Sequence, residues 1–344
     1  LLLGGSPMPQ LRLSFAILVL LCAFPRNLRA DAEILNVSYD VTREFYKDID
    51  AAFSKSWKDK TGETVTVSQS HGGSSKQARA VVDGLQADVV TMNQASDIDM
   101  LHELAKLVPA DWQTRLPNHS APTTSTTVFL VRKGNPKQIR DWSDLVKPGV
   151  GVIVPNPKTS GNGRYSYLAA YGYAIKNKKT PAQARAFVTS LFKNVPVLDT
   201  GGRGATTTFV QRGIGDVLLT FENEVFLIKQ ELGGENFDVV YPSISVLVEN
   251  PVSVVDTVVD KKGTRKLAQA YLEFLYSDEG QAIAIKHRLR PRSQQLLAKN
   301  PQAFPKLKLF TVEEVFGNFK TLQKTHFDDG ALFDQIMTDL HKTP

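Results

Sequence analysis

The residues of this chain best suited to chemistry are small and uncharged. Ser160, Gly161, Asn162 and Gly163 stand together in PKTSGNGRYSYLAAYGYA, directly before a run with helical character. A helix N-terminus leaves backbone N–H groups without intrahelical partners and carries about half a positive charge, so small residues there can seat an anion. The same stretch also reads as a turn with Ser160 as the N-cap. A nucleotide-phosphate loop would end in Gly-Lys-Ser or Gly-Lys-Thr. Here Gly163 is followed by Arg164 and Tyr165, which does not support nucleotide binding of that kind.

Three other strand-to-helix junctions share this style. ILNVSYD leads into Val41-Thr42-Arg43, TVTVSQS into His71-Gly72-Gly73-Ser74-Ser75, and VPVLDT into Gly201-Gly202-Arg203-Gly204-Ala205-Thr206. Each offers backbone N–H groups, hydroxyls and little bulk. Ligands of open α/β sheets sit beyond the carboxyl ends of strands, so four such junctions aimed at one point would bind a small oxyanion without a basic side chain.

Enzyme chemistry finds little to work with. The histidines, His71, His102, His119, His287, His326 and His341, lie far apart, and none makes a metal-binding spacing such as His-Glu-x-x-His. Gly-x-Ser-x-Gly is absent, so a nucleophile elbow has no support. Asp97/Asp99 and Asp328/Asp329 are acidic pairs that read as solvated or capping. No catalytic residue, metal or cofactor is expected.

The elements that must position these junctions alternate in type. Apolar, β-branched runs at 34–40, 64–70, 87–93, 126–133, 150–156, 195–200, 215–221, 237–242 and 245–256 read as strands. Helical patterns lie between many of them, including TPAQARAFVTSLFKN with Thr180 as N-cap and Pro181 at the first helical position. This alternation predicts parallel α/β sheets. Tyr165, Leu168, Ala169, Gly172 and Ile175 recur with helical period and read as a core face. GTRKLAQAYLEFLYSDEGQAIAIKH reads as a helix pair, and Thr311 can cap a helix with Glu314 behind it.

At 344 residues and 42% hydrophobic content the chain can form two domains. Its net charge of +6 comes from Lys and Arg scattered among acids, with no basic tail, which excludes a nucleic-acid footprint. Arg12 precedes LSFAILVLLCAF, an apolar run of signal-peptide length and short for a membrane span. Ala30-Asp31-Ala32 fits a cleavage site, so a mature chain starting near Glu33 or slightly earlier is expected, and residues 1–7 before Met8 read as upstream translation. Cys22, the single cysteine, falls inside the leader, which leaves the mature chain without a thiol; Leu21 before it argues against a lipid anchor.

The segments SYDVTREFY, QSHGGSSKQA, ADVVTMN, NPKTSGNGRYSYLAAYGYA, LDTGGRGATTTFVQRGIGDVLLTFENE and SVVDTVVDKK closely resemble the sulfate-binding proteins of bacterial periplasms, in order and spacing, over nearly all of the mature chain. The resemblance implies an α/β, two-lobed periplasmic-binding-protein fold of type II with the ligand cleft between lobes. It places residues 33–132 plus 243–344 in lobe I and 133–242 in lobe II, after an upstream and signal segment at 1–32. It implies a periplasmic monomer that captures sulfate or thiosulfate and hands it to the membrane permease of an ABC importer. Carried over position by position, the ligand donors are the backbones of Asp40, Ser74, Gly161, Asn162 and Gly202 and the hydroxyl of Ser160. Asn162 and Gly202 replace a commoner glycine and alanine.

Phe221 stands where the family commonly supplies a tryptophan indole donor, and it has no N–H to offer. A water, the hydroxyl of Thr220 or Thr206, or a ligand with a softer terminal atom would have to make up for it. Arg164, Arg43 and Arg203 are expected behind the site, bonding carbonyls of the same peptide units. Open alternatives are another tetrahedral oxyanion, molybdate or phosphate, and a secreted sulfate- or phosphate-ester hydrolase.

Overall fold

A computed structural model of the chain describes residues 1–2, 4–5, 32–231 and 233–342. The leader and its Cys22 lie outside the described residues, as do Ala30 and Asp31 of the cleavage motif.

Strand β1 (Ala32–Tyr39) is the centre of the first sheet, flanked in parallel by β2 (Val65–Gly72) and β3 (Val89–Thr91). Beyond β3 lies β9 (Val252–Val254), which runs antiparallel to it. The Arg43–Thr61 helix covers one face with Phe45, Tyr46, Ile49, Phe53 and Trp57, spaced to fall on one side, and ends at Gly62 in the left-handed conformation (φ 74°). The Arg265–Phe274 and Asp278–Lys286 helices, the expected pair, share that core. The Ser74–Val82 and Ala95–Ala105 helices cover the other face.

The second sheet is organised on β4 (Thr123–Arg132). Its first half pairs antiparallel with β8 (Ser245–Asn250) and β10 (Arg290–Pro291); its second half pairs antiparallel with β6 (Val217–Phe221) and β7 (Phe237–Val240). β5 (Val152–Ile153) lies parallel to β6, and β11 (Leu309–Phe310) parallel to β8. The sheets are therefore mixed rather than parallel. The chain leaves the first sheet through β4 and returns through β8 and β9, and the return reverses strand direction. VPVLDT, read as a strand, is irregular: the Asp199 carbonyl accepts from the Asn156 N–H at 2.7 Å, outside either ladder.

The Gly161–Lys176 helix is buried almost all round, beyond the face expected for it, because it lies between the second sheet and the Pro181–Lys193 helix. Phe310 crosses it so closely that a Cβ on Gly172 would fall 2.1 Å from the ring. The Pro181–Lys193 helix starts as read, with Thr180 and Gln183 forming a reciprocal capping box. The final stretch, grouped by expectation with lobe I, packs on these two helices: Phe327 and Phe333 meet Tyr167 at ring separations of 5.2 and 5.9 Å, and Arg185 pairs with Asp339 at 2.9 Å. Thr311 caps the Val312–Phe316 helix by accepting from the Glu314 N–H.

Candidate functional site

The first junction is a tight turn, Asp40–Thr42, between β1 and its helix. Thr42 donates its hydroxyl back to the Tyr39 carbonyl at 2.7 Å, which fixes the turn. At the second junction β2 runs on to Gly72, and Ser74 opens the next helix. Buried Asp97 accepts hydrogen bonds from the Ser74 and Ser75 hydroxyls and from the Gln94 amide, so this helix start is anchored from behind. Asp97 is thus neither solvated nor a helix cap, since it is buried and accepts from side chains alone; the other half of the pair, Asp99, accepts from the Trp112 indole at 2.9 Å.

At the third junction Ser160 is the N-cap of the Gly161–Lys176 helix, accepting from the Gly163 N–H at 3.4 Å. Its own hydroxyl proton stays available, so the capping and ligand readings are compatible. Gly163 has no room for a side chain, since a Cβ would lie 2.1 Å from the Pro155 carbonyl oxygen. The fourth junction, at Gly201-Gly202, is tied to the third by the Thr159 hydroxyl donating to the Thr200 carbonyl at 2.9 Å. The second and third meet directly: a Cβ on Gly73 would stand 3.2 Å from the Thr159 carbonyl oxygen.

All seven expected contact positions, Asp40, Ser74, Ser160, Gly161, Asn162, Gly202 and Phe221, line one small pocket of about 20 Å³. Tyr39, Val41, Gly72, Gly73 and Asn93 complete its wall, and no Lys, Arg or His is among the lining residues. A single water needs about 10–15 Å³ by the same kind of measure, so the space suits a small ion and excludes a sugar or peptide. The residues that line it begin four helical turns, whose first N–H groups have no carbonyl partners within those turns. Hydrogen bonds to a charged acceptor are short and about twice as strong as neutral ones, so such an array can hold an anion with no counter-charge in contact.

The arginines act differently from expectation. Arg164 is buried, which lowers its pKa; it donates to Gln323 Oε1 at 3.1 Å and lies 4.5 Å above the Phe327 ring, while the charge of Asp97 partly offsets the burial. Arg43 contacts the Asp40 carboxylate at 3.4 Å rather than a carbonyl. Arg43 and Arg203 both bear on His71, whose pKa is lowered to about 4, chiefly by burial. None of the three is recorded donating to a carbonyl of a site peptide among the described residues. Arg164 instead joins the Gly161–Lys176 helix to the C-terminal stretch. A wider cleft of 840 Å³ shares Asp40, Gly72 and Gly73 with the small pocket and adds Lys76 and Lys158.

Phe221 is 1% exposed, its ring in edge contact with Tyr165 at 6.1 Å. Of the hydroxyls expected to replace an indole, neither lines the small pocket, and only that of Thr206 is committed as a donor. Thr206 donates to Glu224 Oε1 at 2.8 Å, and Thr220 accepts from the Asn162 amide at 2.8 Å. One lining residue escaped the sequence reading, Asn93, at the carboxyl end of β3. It heads a fifth strand-to-helix junction, Asn93-Gln94 before the Ala95–Ala105 helix, and the strand-end rule that found the other four applies to it as well.

Among the described residues no group of His, Cys, Asp and Glu could hold a metal, and no helix is long and apolar enough to cross a membrane. A family profile described as bacterial extracellular solute-binding protein matches residues 34–289. The chain is 62% identical to the thiosulfate-binding protein of Pseudomonas aeruginosa over 303 residues, 88% of this chain and 91% of that one. It is 55% identical to the sulfate-binding protein of Escherichia coli K12 over 320 residues, 93% and 97% of the two chains. Among solved structures, the sulfate-binding protein SubI of Mycobacterium tuberculosis H37Rv superposes with a TM-score of 0.78 at 32% identity, covering 86% of this chain and 100% of that one. The periplasmic binding protein AfuA of Actinobacillus pleuropneumoniae, at 16% identity, shares the fold with a TM-score of 0.60.

Proposed function

The chain belongs to the family of bacterial extracellular solute-binding proteins, and from that premise we propose that it captures sulfate or thiosulfate outside the cytoplasm and delivers it to the permease of an ATP-driven importer. The observation that carries this reading is the small pocket of about 20 Å³ lined by all seven expected contact positions and by no cationic side chain. A fully ionised tetrahedral anion presents only acceptors, and the backbone N–H groups of Asp40, Ser74, Gly161, Asn162 and Gly202 with the Ser160 hydroxyl present donors. The relatives named above are called binding proteins for thiosulfate and for sulfate. Thiosulfate binds at least comparably to sulfate, because Phe221 leaves one ligand atom without the usual donor and a terminal sulfur demands a hydrogen bond less than oxygen does.

The chain divides into two lobes, 33–132 plus 243–344 and 133–242; the first sheet belongs to lobe I, the second draws β4, β8, β10 and β11 from lobe I and β5, β6 and β7 from lobe II, and the C-terminal helices clasp lobe II. The chain works as an exported, periplasmic monomer that catalyses nothing. Isothermal titration of protein stripped of ligand, with sulfate, thiosulfate, molybdate and phosphate, tests the reading. One-to-one binding of sulfate or thiosulfate is expected. Phosphate should bind at least about a hundredfold more weakly at pH 7, because its remaining proton meets donors in a dry site. Binding of neither sulfur anion, or turnover of a sulfate or phosphate ester, contradicts it.

A further inference from the structure

Asn93 is the polar side chain that the anion reading leaves without a purpose. It is 3% exposed, and its backbone N–H is held by the Ser74 hydroxyl oxygen at 3.2 Å. Its side-chain oxygen is buried without a partner, and no hydrogen bond is recorded for its amide nitrogen among the described residues. An orphaned buried amide is disfavoured, and native proteins keep one where something absent from the free chain completes it.

The place of this amide says what completes it. It borders the small cavity and presses on the first residue of the Gly161–Lys176 helix: a Cβ on Gly161 would lie 2.1 Å from Asn93 Oδ1 and 2.8 Å from Nδ2. Glycine at 161 is what lets the amide reach across from the first sheet to the helix start of the second. The expected N–H donor of Gly161 and the Asn93 amide thus border the same small space. We propose that the Asn93 side-chain amide is a direct contact of the bound anion, donating a side-chain hydrogen bond in addition to that of Ser160 and distinct from the one position 221 leaves unmade; this rests on the anion-binding reading above. A half-turn about the last side-chain bond exchanges oxygen and nitrogen, so an all-acceptor ligand selects the orientation with N–H toward it.

The test compares parent, Asn93→Leu and Asn93→Asp by titration with thiosulfate and sulfate, and by the melting temperature of the ligand-free proteins. Asn93→Leu should weaken the tighter-binding anion at least about tenfold while leaving ligand-free melting equal to or above the parent's, because it deletes an unpartnered amide. Asn93→Asp should bind poorly at pH 8 and recover relative to the parent as pH falls to 5, because a protonated carboxyl donates where a carboxylate repels. A parent that binds neither anion overturns the functional reading itself. Given a parent that binds, three results overturn the inference alone: an Asn93→Leu affinity within twofold of the parent, an Asn93→Asp affinity with no such pH dependence, or an affinity loss matched by a drop in ligand-free melting temperature.

Discussion

The Asn162 side-chain nitrogen lies 3.2 Å from the point where a Cβ on Gly202 would sit, and it donates to Thr220 Oγ1 at 2.8 Å. The two positions expected to depart from the family's commoner pattern therefore meet in space, and a methyl on Gly202 would press on the Asn162 amide. Gly202→Ala alone should destabilise the ligand-free protein by about 1 kcal/mol, as the amide is pushed from Thr220. Asn162→Gly alone should cost about 1–2 kcal/mol through the lost hydrogen bond and a glycine in the first helical turn. The double variant should lose at least about 0.5 kcal/mol less than the sum. Urea denaturation of the four proteins gives the coupling, and strict additivity would separate the two positions.

Ser160 does two jobs, and its variants should part them. Ser160→Ala removes a hydroxyl donor to a charged acceptor, so anion affinity should fall by roughly 1.5–3 kcal/mol. It also removes the cap that accepts from the Gly163 N–H, which should lower stability by about 1 kcal/mol. Ser160→Gly should show the same affinity loss with a stability loss of only a few tenths of that. Titration and melting of both variants decide it; an affinity within twofold of the parent takes Ser160 out of the site.

Four of the five junctions were legible because the same small residues that let a chain turn into a helix also bare its N–H groups. Asn93 was not, because ADVVTMN carries no glycine or serine to mark its end, and the value of its amide depends on Gly161 of a helix far along the chain. Strand direction was likewise hidden: β9 and β4 look like any buried strand, and only the crossings between sheets make them antiparallel to their partners. VPVLDT has strand composition, yet its backbone groups bond to the loop before Ser160 instead of a ladder. The partners of Arg164, Gln323 and Phe327, come from a stretch whose packing the local pattern does not reveal.

Phe221→Trp should shift selectivity. A new indole N–H reaching the ligand favours sulfate over thiosulfate by roughly 1–2 kcal/mol. Crowding against Tyr165, whose ring meets Phe221 at 6.1 Å, would cost about 1–3 kcal/mol and weaken both anions alike. The ratio of the two affinities isolates the donor, and an unchanged ratio would mean that residue 221 does not face the anion.

His326 should make the protein acid-sensitive through the C-terminal clasp. Burial lowers its pKa from 6.5 to about 4, and it shares a hydrogen bond with the Tyr167 hydroxyl at 2.8 Å. The unfolded chain takes up that proton first, so the stabilisation is complete above pH 6.5 and is lost as pH falls toward 4, by about 3 kcal/mol in all. His326→Gln, which cannot titrate, should flatten the difference between stabilities measured at pH 7 and pH 4. Equal pH slopes for parent and variant would show that His326 is protonated without penalty.

Backbone donors from separate chain turns hold the anion with no cation in contact, and a crystal structure at saturating thiosulfate should show it. The anion is expected in the small pocket, with its oxygens at hydrogen-bond distance, about 2.7–3.2 Å, from the N–H groups of Asp40, Ser74, Gly161, Asn162 and Gly202 and from Ser160 Oγ. An anion held instead by Lys76, Lys158 or an arginine in the outer cleft, with the small cavity empty, would contradict it.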